Sequence, residues 1–178
     1  MRVITGTARG RKLRTLEGES VRPTTDKVKE AMFSIIQFDI EGSRVLDMFC
    51  GCGHLGIEAL RRGAHSAVFV DISRSSIAVT EENLEATGFR SVSKTVLSNS
   101  LEYLDRTSEV FDIAFLDPPY KAGIMEDAIE RVRLHMADGG IIVCETGAEE
   151  VLAEDVEGFT SKRYKYGKIA LTVYRKVV

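Results

Sequence analysis

The stretch "RVLDMFCGCGHLGIEALRRG", Arg44 to Gly63, decides how the rest of the chain is read. A short apolar strand carries a carboxylate, Asp47, near its end. The chain then turns through glycines into a helical segment closed by Gly63. Gly51, Gly53 and Gly56 satisfy G-x-G-x-x-G at a strand-to-helix turn, where the backbone must approach a ligand closely. Asp71 lies 20 residues after Gly51, at the end of the next strand, where a carboxylate can bind the two hydroxyls of a ribose.

Working outward, the same alternation repeats. "SAVFVD" reads as a strand, "SRSSIAVTEENLEATG" as a helix, "SVSKTVL" as a strand and "SLEYLDR" as a short helix. "FDIAFLD" is a strand, "MEDAIERVRLHM" a helix and "GGIIVCE" a fifth strand. Strands alternating with helices predict βαβ units, right-handed crossovers and a parallel sheet covered on both faces. "FTSKRYKYGKIALTVYRKVV" breaks the rule: two alternating strands around Tyr166-Gly167 predict an antiparallel hairpin. Upstream, residues 2–14 read as a basic hairpin or arm, and Thr24 or Thr25 can cap a helix running from Lys27 to Ile36. The expected architecture is α/β and doubly wound, one domain over residues 1–178 with a basic extension over 1–22 and a catalytic core over 23–178.

Composition is that of a globular protein, with 44% apolar and 29% charged residues. No apolar run reaches the roughly 18 residues of a membrane span, and "MRVITGTARGRK" lacks a signal-peptide core. Three cysteines, an odd number, fit a reducing cytoplasm. Net charge is −3, yet the charge is segregated: residues 1–16 hold five Arg/Lys and residues 159–178 hold six, with no acid in either. Such ends can form a local anion-binding field on an acidic protein. Lysine-rich edge strands that resist aggregation give the same pattern.

The glycine loop by itself fits a dinucleotide. Asp47 tilts the choice, because a carboxylate beside the loop repels a pyrophosphate and attracts a cation. S-adenosylmethionine carries an ammonium, a sulfonium and an adenosine, so Asp47 for the methionine end and Asp71 for the ribose match it. Cys50 and Cys52 have only His54 nearby and no further Cys or His at ligand spacing, whereas a metal site usually needs three or four ligands, so no metal is expected, and His54 reads as a loop or capping residue. Asn99 and Ser100 stand where an adenine edge could be bound, and equally where a helix needs an N-cap.

"DPPY" ends the fourth strand. Asp117 is expected to face the same crevice as Asp47, outside the carboxyl ends of the strands. Pro118 and Pro119 stiffen the turn and leave their carbonyls free, and Tyr120 offers a flat face. A base-linked amine is a poor nucleophile because its lone pair is delocalised. The Asp117 carboxylate and the Pro118 carbonyl can hold its two hydrogens and aim the freed lone pair, while Tyr120 stacks on the base.

Taken together, "LDMFCGCGHLG", "VDIS", "DPPY" and the closing hairpin resemble class I S-adenosylmethionine-dependent methyltransferases. "RVITGTARGRKL", "RPTTDKVKEAMF" and "LGIEALRRGA" narrow the resemblance to bacterial enzymes that methylate the N2 amino group of a guanine in 16S ribosomal RNA. The resemblance implies a Rossmann-like, seven-stranded sheet with its last strand antiparallel, and RNA of the small ribosomal subunit as substrate; a monomer is expected. It implies a cofactor site around Asp47, Phe49, Cys50, Gly51, Gly53, Asp71, Ile72, Asn99 and Ser100, and an acceptor site at Asp117–Tyr120. It also implies RNA contacts from Arg2, Arg9, Arg11, Lys12, Arg14, Arg22 and Thr24. The chain differs from the family pattern at Cys50, Cys52 and His54, and has Asn99 where an aspartate is common. An adenine-N6 methyltransferase, a non-catalytic RNA-binding assembly factor and an NAD-dependent oxidoreductase are the competing readings; the last would need a substrate domain.

Overall fold

The computed structural model describes residues 12–16, 26–119 and 123–178. Most of the basic arm, the capping threonines and Tyr120 lie outside them. The elements are α1 (Asp26–Ile35), β1 (Arg44–Met48), α2 (His54–Arg61), β2 (Ser66–Asp71), α3 (Arg74–Thr87), β3 (Ser93–Leu97), α4 (Ser100–Arg106), β4 (Phe111–Leu116), α5 (Ile124–Val132), β5 (Met136–Gly147), β6 (Phe159–Tyr166) and β7 (Ile169–Lys176). The strands form one sheet in the order β3-β2-β1-β4-β5-β7-β6. Strands β1 to β5 pair in parallel, and β7 is antiparallel to both β5 and β6.

Because side chains alternate across a strand, each central strand feeds two cores. Val45, Phe69, Ile113, Phe115 and Val143 face one side, where α1, α2 and α3 supply Phe33, Ile57, Leu60, Ile77 and Leu84. Leu46, Met48, Val70, Leu116 and Ile142 face the other, against Leu104 of α4 and Ala128, Ile129 and Val132 of α5. Phe33 and Phe115 pack with ring centroids 5.5 Å apart, within the range of favourable aromatic pairs. Ser73 caps α3 through its side chain, and Gly88 closes it in the left-handed conformation.

One boundary departs from the sequence reading. The helix expected to reach Met136 stops at Val132, and a 3₁₀ turn over Arg133–His135 leads straight into β5. Met136 already pairs with Phe111, and the register shifts before Ile113 meets Ile141. Gly139, at φ 72°, lies within that irregularity. Periodicity could not see it, because the strand's first residues pair around an Asp-Gly-Gly segment.

The parallel order places the ends of β1, β2 and β4 side by side. It does so through a close approach of α2 to the sheet: a Cβ on Gly56 would lie 2.4 Å from Cε1 and 2.7 Å from Cζ of Phe69. Gly56→Ala is therefore expected to lower unfolding free energy by about 1–3 kcal/mol, measured by urea denaturation. Gly51→Ala meets no atom of the described residues within 4 Å beyond its chain neighbours and should cost only its left-handed φ penalty, about 1–2 kcal/mol.

Candidate active site at the glycine loop

The loop between β1 and α2 is held from every neighbouring element. Gly51 and Gly53 adopt φ 56° and 80°, and Phe49, without the freedom of glycine, sits at φ 55°. A bulky residue there is strained, and such strain persists only where the surroundings impose it. They do so here: the Phe49 N–H donates to Ser100 Oγ at 3.3 Å, and the Gly51 N–H donates to Asp71 Oδ2 at 2.9 Å. The other Asp71 oxygen accepts from the Ser73 N–H at 2.8 Å, so this carboxylate ties β2, the loop and the start of α3 together.

Asp47 is 2% exposed and its Oδ2 accepts from the Gly56 N–H at 3.0 Å. Burial pushes the carboxyl up to about 8, against the lowering effect of the Gly56 amide. Asp47 thus binds the α2 backbone while lying below the loop. Asn99 likewise serves its helix: its Oδ1 accepts from the Leu101 and Glu102 N–H groups at 2.9 and 3.3 Å, capping α4. The Cys50 side chain is packed in the core beside Thr80, with Sγ 3.6 Å from Oγ1; its N–H donates to the Val70 carbonyl at 3.1 Å and its carbonyl accepts from the Gly53 N–H at 2.8 Å. Burial raises both loop thiols. His54 begins α2, buried, and burial followed by nearby Lys29 pushes its imidazole toward the neutral form.

Above the loop the surface is open and partly apolar. Among the described residues beyond its chain neighbours, none comes within 4 Å of where a Gly51 Cβ would stand, and Ile72, beside half-buried Asp71, is 70% exposed. Asp117 follows β4 directly, half-buried, with Pro118 half-buried and Pro119 exposed after it. Since β4 pairs with β1 through Asp47↔Phe115 and Met48↔Leu116, Asp117 emerges beside Phe49 on the same edge. Of the expected RNA contacts, Lys12 and Arg14 are described and exposed, and the Arg14 guanidinium pairs with Glu82. Arg2, Arg9, Arg11, Arg22 and Thr24 lie outside the described residues.

The family model described as "Conserved hypothetical protein 95" matches residues 1–175. The chain belongs to this family. The Bacillus subtilis (strain 168) protein YlbH is 37% identical over 99% of both chains. Ribosomal RNA small subunit methyltransferase D of Escherichia coli (strain K12) is 32% identical over 99% of this chain and 90% of its own. The solved structure of Escherichia coli yhhF superposes with a TM-score of 0.89, covering 99% of this chain and 98% of that one at 32% identity. The fold shared across the family is the Rossmann-like sheet of class I methyltransferases, as the sequence predicts.

Within this family member, sequence reasoning missed the residues that grip the loop from α3. Thr80 Oγ1 donates to the Gly51 carbonyl at 2.8 Å. Asn83 Nδ2 donates to the Cys52 carbonyl at 2.9 Å and to the Arg14 carbonyl at 3.0 Å, while its Oδ1 accepts the Arg14 N–H at 2.9 Å. One amide group thus joins the glycine loop to the strand-like segment at residue 14. Lys29 of α1 was also missed: it is fully buried, 3.9 Å from Glu58, which also binds Arg62 at 2.9 Å. The available signal was polarity on an inward helix face, with Ser76, Thr80 and Asn83 spaced at helical intervals and all buried.

Two outcomes are expected. Asn83→Ala removes three hydrogen bonds, and unfolding free energy should fall by about 2–3 kcal/mol, with faster amide exchange over residues 12–16. A carboxyl with its folded pKa raised favours folding fully below its ordinary 3.8 and loses that contribution as pH rises through about 8. Denaturation at a series of pH values should therefore show the protein losing stability relative to Asp47→Asn from about pH 4 to about pH 8. A pH-independent difference would contradict an upward shift of this buried carboxyl.

Proposed function

We propose that the protein is an S-adenosylmethionine-dependent methyltransferase that modifies the N2 amino group of a guanine in 16S ribosomal RNA. The observation that carries this reading is Asp117 with its Pro-Pro turn, emerging beside a glycine loop held in left-handed backbone conformations. The name of the Escherichia coli relative, a small-subunit ribosomal RNA methyltransferase, supports the substrate class.

The residues present fit the cofactor. The open space above Gly51 admits a group against the backbone. The half-buried Asp71 carboxylate, already oriented by two amides, has lone pairs left for ribose hydroxyls. Ile72 offers exposed apolar surface for a base, and the Phe49–Gly53 backbone borders the methionine end. Asp47 acts chiefly by fixing α2 through Gly56, with its charge a weaker attraction because burial favours the neutral form. Bound there, S-adenosylmethionine supplies an electrophilic methyl group on a sulfonium.

The chain's own residues do the rest by orientation. The Asp117 carboxylate and the Pro118 carbonyl accept the two hydrogens of the guanine amine, favouring pyramidal nitrogen and an exposed lone pair. Pro118 and Pro119 have no N–H and a fixed φ, so the acceptors stay in place when the base arrives. Tyr120 stacks on the base, a contact worth about 1–3 kcal/mol. Asp117 or water receives the proton that leaves the methylated amine.

Purified protein given labelled S-adenosylmethionine and unmodified bacterial 30S subunits should deposit label in N2-methylguanosine after nucleoside digestion. Asp117→Ala should reduce that transfer by about 100-fold or more and leave affinity for S-adenosylhomocysteine within a few-fold. Label in N6-methyladenosine instead would move the acceptor to adenine, and full activity in Asp117→Ala would refute the role given to that carboxylate.

A further inference from the structure

The C-terminal hairpin carries a charge pattern that the active-site chemistry does not use. Residues 159–178 hold six Arg/Lys and no acid, and the fold sorts these bases by edge. Since Gly147 at the end of β5 pairs with Ile169 at the start of β7, the β6–β7 turn lies on the carboxyl edge of the sheet, the edge of Asp71 and Asp117. The opposite ends, Phe159 and Lys176, lie on the amino edge.

At the amino edge each hairpin base is matched. Arg175 meets Asp39 at 3.1 Å, and Lys176 meets Asp138 at 3.9 Å and donates to the Met136 carbonyl at 2.8 Å. Asp39, Glu41, Asp112 and Asp138 line an open groove of about 310 Å³ on this edge. At the carboxyl edge the pattern reverses. Lys165 and Lys168 are exposed, and among the described residues no carboxylate comes within ion-pair distance of either, or of Lys162. Glu149 and Glu150 follow β5, where the Ala148 N–H donates to the Lys168 carbonyl at 2.8 Å. Neither of these carboxylates lies within ion-pair distance of Lys165 or Lys168.

The turn is also a firm platform. Tyr164 and Tyr166 pack against the first core, Lys162 lies over the Tyr164 ring at 5.1 Å, and Arg163 donates to the Ala148 carbonyl. Three strand spacings separate β6 from β4, about 14 Å, a reach of a few nucleotides along an RNA strand. Lysine-rich edge strands also serve against aggregation, but that need does not account for Lys168, which lies in the turn beyond the end of β6.

Resting on the functional reading above, we propose that Lys165 and Lys168 at the β6–β7 turn form a second phosphate-binding contact for the RNA, on the rim of the crevice beside Asp117. The flanking phosphates of the target nucleotide are its ligands. This contact is sequence-independent: it positions the strand and leaves base selection to the Asp117 turn.

The test compares the Lys165→Gln/Lys168→Gln double variant with Lys176→Gln, which removes charge from the same hairpin at the amino edge. Filter binding of 16S ribosomal RNA over a salt series reads affinity, and methyl transfer to 30S subunits reads KM and kcat. The double variant should bind RNA about 5–10-fold more weakly, with its log K against log[salt] slope reduced by roughly 1–2. Its affinity for S-adenosylhomocysteine and its kcat should not change, and Lys176→Gln should bind RNA as the parent does. Equal weakening by both variants would mean a net-charge effect and overturn the proposal, as would an unchanged salt slope. Absence of methyl transfer by the parent protein would refute the functional reading, while RNA binding would still decide the role of the hairpin.

Discussion

The close approach of α2 to the sheet is the constraint on which the crevice depends. Gly56 lies against the ring of Phe69, nearer than any Cβ would allow, and its N–H is fixed by buried Asp47. Together these seat the first turn of α2 deep against β1 and β2. The chain between β1 and α2 then has only Phe49 to Gly53 in which to reverse direction, and three of those residues adopt positive φ to do so. A loop this tight needs glycines, which put no side chain between the backbone and a ligand.

Tightness alone would leave several polar groups wanting partners, and the neighbouring elements supply them. Asp71 from β2, Ser100 from α4, and Thr80 and Asn83 from α3 each take one loop group. The loop is therefore organised before any ligand arrives, so little conformational entropy remains to be lost on binding. Asn83 extends this order to the N-terminal segment, since the same amide holds both Cys52 and Arg14. A disturbance on either side of Asn83 reaches the other through a single side chain.

Charge is organised on a larger scale. The amino edge gathers Asp39, Asp112 and Asp138 with the bases that match them, whereas the carboxyl edge presents lysines without such partners. A protein of net charge −3 can in this way offer a polyanion one favourable face, because fields at a surface depend on the local arrangement rather than on the sum.

The sequence by itself determined the alternation of strands and helices, the closing hairpin, the glycine turn and the carboxylate at the end of β4. Each is local: a period of two or 3.6 residues, a glycine where φ is positive, a proline where an N–H is missing. It also marked Asn99 as a cap or an adenine contact, and the cap is what the geometry displays. Tertiary structure decided the rest. Asp47 and Cys50 look like ligand groups in a linear reading, and only the packing of α2 and α3 turns their side chains inward. Thr80, Asn83 and Lys29 become meaningful only when α3 and α1 are laid against the loop, as their partners are up to 69 residues away along the chain. The bases of the last twenty residues were visible as composition, but their division between matched and unmatched ends follows from the antiparallel pairing of β7 with β5. Long-range pairing assigns each lysine to an edge, and no local pattern carries that information.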